Sequence, residues 1–327
     1  MKALIFTTWP VRAWRIPPGH VARLRELFPN VTWVQAHDHD EARRLIGDID
    51  FGLCPFLAPD MVQTAQRLRW VHSSAAAVEG LLPLAELAAR RIAVTNSRGV
   101  QAVPMAEHVM GGLLVLARKY DRTLDAQREH RWIQEELSDD WPWMLHGRTM
   151  AIVGLGAIGI EVARRAHAFG MRVVGVRRRA SEPPPPFVDR VYAPSALGDA
   201  LRGADVLVVS APGTGVTTRM IGAEQLALVK RGAILVNVAR SQIVDQEAMR
   251  RALASGQLGG AVLDVFDKEP LAPDDPLWSM PNVVITPHTS GFRATHWDDI
   301  VALFADNIQR FQAGEPLLNV VDPTAGY

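Results

Sequence analysis

The stretch Gly154-Leu155-Gly156-Ala157-Ile158-Gly159 stands between an apolar run, Met150-Ala151-Ile152-Val153, and a helical pattern over Ile160–Phe169. Alone, G-x-G-x-x-G is a weak signal. Between a strand and a helix it specifies a βα turn built to receive a dinucleotide pyrophosphate. Gly154 permits the tight turn, Gly156 lets the backbone approach the phosphates, and Gly159 lets helix and strand pack closely. The amides of Ala157 and Ile158 then face the phosphates at the positive end of the helix.

The rest of the chain repeats the same alternation. Strands are expected at Leu4–Thr7, Val31–Val34, Asp50–Leu53, Trp70–Ser73 and Ile92–Thr95, with helical patterns at Val21–Phe28, Glu41–Ile46, Pro59–Gln66 and Leu81–Arg90. A second series places strands at Thr149–Val153, Arg172–Val176, Val206–Val209, Ile234–Asn237, Ala261–Asp264 and Val283–Thr286. Alternating strand and helix predicts α/β architecture with two doubly wound parallel sheets, and 327 residues suit two domains. Between the series, one long helix is expected from about Pro104 to Arg128, followed by a tryptophan-rich arm from Trp132 to His146. A last helix runs from about Ala294 to Ala313.

NAD-binding turns of this type carry an acid about 20 residues on, for the ribose 2′-hydroxyl. Here the second strand of the series ends in Arg177, Arg178 and Arg179. An arginine attracts the 2′-phosphate of NADP, so Arg177 and Arg178 point to NADPH, with NAD possible. Arg179 reads as an exposed charge.

Three further stretches each follow a strand of the second series: Asn237-Val238-Ala239-Arg240-Ser241, Leu263-Asp264-Val265-Phe266-Asp267-Lys268-Glu269-Pro270 and Thr286-Pro287-His288-Thr289-Ser290-Gly291. Loops after strand ends line the ligand crevice of an open parallel sheet. Arg240, Glu269 and His288 can therefore converge although far apart in sequence. A guanidinium fork fits a planar 2-keto acid. A histidine tuned by a carboxylate suits the proton that reduction requires.

With the glycine loop, these segments resemble the D-isomer-specific 2-hydroxyacid dehydrogenases, most of all the NADPH-dependent glyoxylate/hydroxypyruvate reductases. Asn96-Ser97-Arg98-Gly99-Val100, Ala106-Glu107-His108 and Gly314-Glu315-Pro316-Leu317-Leu318-Asn319-Val320-Val321-Asp322 support the resemblance, which covers nearly the whole chain. It implies a flavodoxin-like substrate domain made of residues 1–98 and 289–327, with a Rossmann cofactor domain, residues 99–288, inserted. It implies that Arg240 holds the substrate carboxylate, that His288 gives a proton to the keto oxygen, and that Glu269 pairs with His288 and favours its charged form. It assigns Asp264 to the nicotinamide carboxamide and places Ala211, Pro212, Thr217, Val238, Ala239 and His288 beside the cofactor. The loop His72-Ser73-Ser74-Ala75-Ala76-Ala77-Val78-Glu79 departs from the pattern, with alanines where many relatives have glycine. Backbone amides at Ala76 and Ala77 remain as carboxylate ligands, but a positive φ there becomes costly, and the methyls narrow the pocket toward small acids.

Composition closes other routes. Lys+Arg and Asp+Glu are both 35, so no nucleic acid or membrane surface is expected as partner. The single cysteine, Cys54, forms no intrachain disulfide and reads as a small buried hydrophobe; a cytoplasmic protein is expected. No metal site is expected. The resemblance implies a homodimer, and the arm residues Trp132, Trp141, Trp143, Met144 and Leu145 lack a period that would bury them locally. Four alternatives stand beside the reductase. Glu269 argues against formate dehydrogenases, which normally place glutamine there, and the length leaves no room for the regulatory domain of many phosphoglycerate dehydrogenases. A nucleotide-sensing corepressor of the same fold could keep all three residues. A D-2-hydroxyacid dehydrogenase for a larger substrate also stays open.

Overall fold

The computed structural model describes residues 1–324 and 326. The chain packs as two compact units, Met1–Gln101 with Phe292–Tyr327 and Ala102–Gly291. Both borders fall three residues beyond the sequence reading.

The first unit holds β1 (Lys2–Ile5), α1 (Pro18–Leu27), β2 (Thr32–Gln35), α2 (His39–Leu45), β3 (Phe51–Leu53), α3 (Pro59–Thr64), β4 (Trp70–Ser73), α4 (Leu84–Ala89) and β5 (Ala93–Asn96). Its five strands are parallel in the order β2-β1-β3-β4-β5, the flavodoxin-like arrangement. Residue alternation sorts the strands' side chains between two cores. Leu4, Phe6, Val71 and Val94 lie in one, and Ala3, Ile5, Phe51, Leu53 and Trp70 in the other. Cys54 is buried, and burial pushes its thiol pKa up, which fits the inert packing role read from sequence.

The second unit holds α5 (Ala102–Ala117), α6 (Tyr120–Arg128), α7 (Gln134–Asp139), β6 (Thr149–Val153), α8 (Ala157–Ala168), β7 (Arg172–Val176), β8 (Arg190–Tyr192), α9 (Leu197–Leu201), β9 (Val206–Val209), α10 (Ala223–Leu228), β10 (Ala233–Asn237), α11 (Gln246–Ala254), β11 (Leu258–Leu263) and β12 (Val283–Ile285). Helix α12 (His296–Ala313) belongs to the first unit, where Ile300, Phe304 and Ile308 pack against Phe51 and Trp70. The second sheet runs β12-β11-β10-β9-β6-β7-β8, all parallel. The strand order reverses between β6 and β9, so the glycine loop after β6 sits at the switch point, where open sheets of this kind bind ligands. Again alternate residues serve opposite faces: Ala151, Val153, Leu207 and Val209 face one core, Met150, Ile152, Val206 and Val208 the other.

Three expectations are corrected. The long helix is two, α5 and α6, separated at Lys119, which takes a left-handed φ of 60° and cannot continue a helix. The short strand β8 was not anticipated. The arm is partly packed: Leu145 is 4% exposed, and Trp143 lies against the second unit's core under the Arg148 guanidinium, 4.9 Å from the ring centre. Trp132, Trp141 and Met144 remain exposed. No helix among the described residues is long and apolar enough to cross a membrane.

Candidate active site

The glycine loop folds tightly on itself. Gly154 has φ 103°, and a Cβ there would lie 2.3 Å from the amide nitrogen of Ala211. A Cβ on Gly159 would lie 2.2 Å from Gly154 O. Gly156, by contrast, is exposed with nothing among the described residues within 4 Å of an added Cβ, and none of their side chains caps the start of α8. The first amides of a twelve-residue helix, Ala157 and Ile158 among them, are thus left for an outside acceptor at the dipole's positive end. This open, uncapped turn fits a pyrophosphate.

The loop after β9 carries Ala211 and Pro212. The Thr217 hydroxyl donates to Pro212 O (2.8 Å) and accepts from the Thr214 amide (2.8 Å), tying that loop into a compact turn. After β7, the two arginines part company. Arg177 is mostly buried, and its Nη2 donates to the carbonyls of Glu182 (2.7 Å) and Pro183 (3.0 Å), bracing the proline-rich loop. Its Nε is buried without a partner among the described residues. Arg178 is exposed, as is Arg179 beside Glu182.

Asn237, buried at the end of β10, shapes the turn that presents Arg240. Its Oδ1 accepts from the Ala239 amide (3.1 Å), and its Nδ2 donates to Arg240 O (3.1 Å). Val238 donates its amide to Val209 O (3.3 Å). The stem of Arg240 passes so close to Gly213 that a Cβ there would lie 2.7 Å from its Cγ. The sequence reading gave neither Asn237 nor Gly213 a role; for Gly213 the contact is to a residue on another strand's loop, which no local spacing reveals.

The strand register relates the three expected catalytic residues. Asn237 pairs with Leu263 and Leu263 with Ile285. Arg240 and His288 each lie three residues past that row, on strands two apart, roughly 10 Å at ordinary strand spacing. Glu269, in the loop between β11 and β12, accepts from the Phe266 amide through Oε1 (3.0 Å) and meets His288 Nδ1 through Oε2 (2.7 Å). An ionised carboxylate only accepts, so Nδ1–H donates, and the bond to Glu269 leaves Nε2 uninvolved.

Asp264 is fully buried. Its Oδ1 accepts from the Thr286 hydroxyl (2.6 Å) and the Thr289 amide (2.9 Å), and its Oδ2 from the Ser290 amide (3.0 Å). Both oxygens thus serve the turn that carries His288, a structural role absent from the sequence reading.

In the first unit, Ala76 and Ala77 follow β4. Asn96 Nδ2 donates to Ala76 O (2.7 Å), and the Ser97 amide donates to Ala75 O (3.2 Å). None of Ala75, Ala76 and Ala77 has a positive φ, so the loop takes alanine without the anticipated backbone strain.

Comparison with known proteins identifies the family. Residues 110–290 match the family model described as D-isomer specific 2-hydroxyacid dehydrogenase, NAD binding domain. A glyoxylate reductase of Korarchaeum cryptofilum is 36% identical over 272 residues, 80% of this chain and 79% of the relative. A D-3-phosphoglycerate dehydrogenase of Archaeoglobus fulgidus is 31% identical over 80% of this chain but only 49% of its own. The crystal structure of an NADPH-dependent glyoxylate/hydroxypyruvate reductase of Sinorhizobium meliloti, in complex with NADP and sulfate, superposes with a TM-score of 0.84 at 28% identity, covering all of both chains. The chain belongs to the D-isomer-specific 2-hydroxyacid dehydrogenase family.

Proposed function

We propose that the protein reduces small 2-keto acids, such as glyoxylate and hydroxypyruvate, to D-2-hydroxy acids, with NADPH preferred over NADH. The observation that carries this reading is the 2.7 Å His288–Glu269 pair, one strand-end loop away from Arg240. A nicotinamide dinucleotide, its pyrophosphate on Ala157 and Ile158, would supply the hydride. Arg240 offers its fork to the substrate carboxylate and polarises the keto oxygen. His288 delivers a proton from Nε2 to the alkoxide oxygen, and Glu269 holds the ring while it carries positive charge. The alanine methyls favour small acids. The glyoxylate reductase relatives support the substrate class, and the NADP complex of the Sinorhizobium enzyme, with Arg178 after β7 here, supports the cofactor.

The test is a panel of glyoxylate, hydroxypyruvate, 3-phosphohydroxypyruvate and larger 2-keto acids with NADPH and NADH, followed by reduced-nicotinamide absorbance. The reading expects highest kcat/KM with a small acid and NADPH. Equal use of the two cofactors would overturn the cofactor preference, and a larger acid as best substrate the size preference.

We propose in addition that the working form is a homodimer. Trp132, Trp141 and Met144 are 90%, 73% and 67% exposed, more large apolar surface than one short arm ordinarily leaves in water.

A further inference from the structure

The Ala106-Glu107-His108 stretch has no part in the chemistry above, yet the fold aims its histidine at the proton-donor turn. Helix α5 lies against β11 at very short range. A Cβ on Gly112 would come 2.5 Å from Val262 Cγ1, and one on Gly260 would come 3.0 Å from Leu116 Cδ1. Leu116 therefore sits over Gly260 and Gly112 over Val262, with helix and strand running in opposite directions. His108 lies one turn beyond Gly112 on the same face. The helix covers about 12 Å from Leu116 to His108, and the strand about 13 Å from Gly260 to Asp264. His108 thus arrives at the level of Asp264.

There its Nε2 lies 3.1 Å from Thr286 Oγ1. The Thr286 hydroxyl has one proton, and that proton goes to the acceptor-only carboxylate of Asp264 at 2.6 Å. The 3.1 Å bond is therefore donated by His108 Nε2–H. The chain His108 to Thr286 to Asp264 has a fixed direction, and Asp264 closes it by accepting the amides of Thr289 and Ser290. These bonds fasten the backbone on both sides of His288, whose φ of 55° is a left-handed conformation that a side-chain-bearing residue keeps only when its surroundings over-determine it.

We propose that His108 is a positioning residue for His288. It fixes the Thr286 hydroxyl on Asp264 and so holds the proton-donor ring against Glu269. The proposal rests on the reading of His288 as proton donor, and its test separates the two. Hydrogen exchange of the segment spanning residues 286–290 is measured by mass spectrometry in the full-length protein and in His108→Leu, His108→Gln and Thr286→Val, together with kcat, KM for NADPH and thermal midpoint. His108→Leu should speed exchange at Thr289 and Ser290 and lower kcat, each by about 10-fold, the size expected for one lost hydrogen bond. KM for NADPH should stay unchanged. His108→Gln, whose amide donates from a similar reach, should restore both. Thr286→Val, close to isosteric, should reproduce His108→Leu and replaces it if the leucine variant fails to fold. Parent-like exchange and kcat in His108→Leu and Thr286→Val would overturn the proposal, as would a glutamine variant as impaired as the leucine one. Exchange needs no substrate, so it judges the positioning role even if the parent turned over no 2-keto acid.

Discussion

At the residue scale, the two arginines after β7 make separable predictions. Arg177 is tied to the carbonyls of Glu182 and Pro183, whereas Arg178 is exposed. A charge-assisted hydrogen bond to the 2′-phosphate is worth about 1.5–3 kcal/mol, or roughly 10- to 150-fold. Arg178→Ala should lower kcat/KM for NADPH by that factor and leave NADH within about threefold, read from initial rates. Arg177→Ala should impair both cofactors, because it frees the loop. His72 makes a prediction of another kind. It is fully buried beside Thr95, and burial pushes its pKa down to about 3. An unfolded histidine binds a proton below about pH 6.5, which the folded one refuses, so the folded state keeps its full stability above that pH. Stability from this site should fall by about 1.4 kcal/mol per pH unit on acidification toward pH 3. Urea unfolding at pH 7 and 5 should show the loss, and His72→Asn should reduce it; carboxylates titrate largely below this window. The placement of Arg240, Glu269 and His288 past strand ends was legible because each stands in a distinctive stretch. The partnership of His108 with Thr286 was not, because it joins residues 178 apart through the packing of a helix on a strand.

At the element scale, adjacent glycines in α5 should respond in opposite directions. Gly111 is exposed with nothing within 4 Å of an added Cβ, so Gly111→Ala should raise stability by about 0.5–1 kcal/mol through helix propensity. At Gly112 the new methyl would strike the branched, buried Val262, and overpacking of this kind costs about 1–3 kcal/mol. Gly112→Ala should therefore unfold at lower denaturant. If both variants shift the same way in urea titration, the close packing of α5 on β11 is misjudged. Central strands were legible residue by residue where apolar runs are bounded by polar or turn residues, as at Trp70–Ser73, Thr149–Val153, Arg172–Val176 and Val206–Val209. The break between α5 and α6 was not, because Ala117-Arg118-Lys119-Tyr120 offers no glycine or proline to mark it. The three-residue β8 pairs with β7 at the sheet's edge, and so brief a stretch gives too little alternation to read.

At the scale of the whole molecule, two parallel-sheet units account for nearly all of the sequence's alternating pattern, and the arm accounts for what is left. Trp132→Ser with Trp141→Ser should weaken the proposed dimer, seen as a fall in mass by light scattering on dilution; Trp143→Ser should chiefly lower stability, because its ring is already packed under Arg148. A monomeric parent would remove the dimer. The central claim is the paired acid at the ends of β11 and β12. Its most direct test is kcat for glyoxylate reduction with NADPH in the parent and in His288→Ala, with NADPH affinity measured alongside by fluorescence. General acid catalysis contributes about 10²- to 10⁴-fold, so His288→Ala should lose kcat by that factor while binding NADPH as the parent does. A parent that binds NADPH but reduces no 2-keto acid, or a His288→Ala variant with parental kcat, would contradict it.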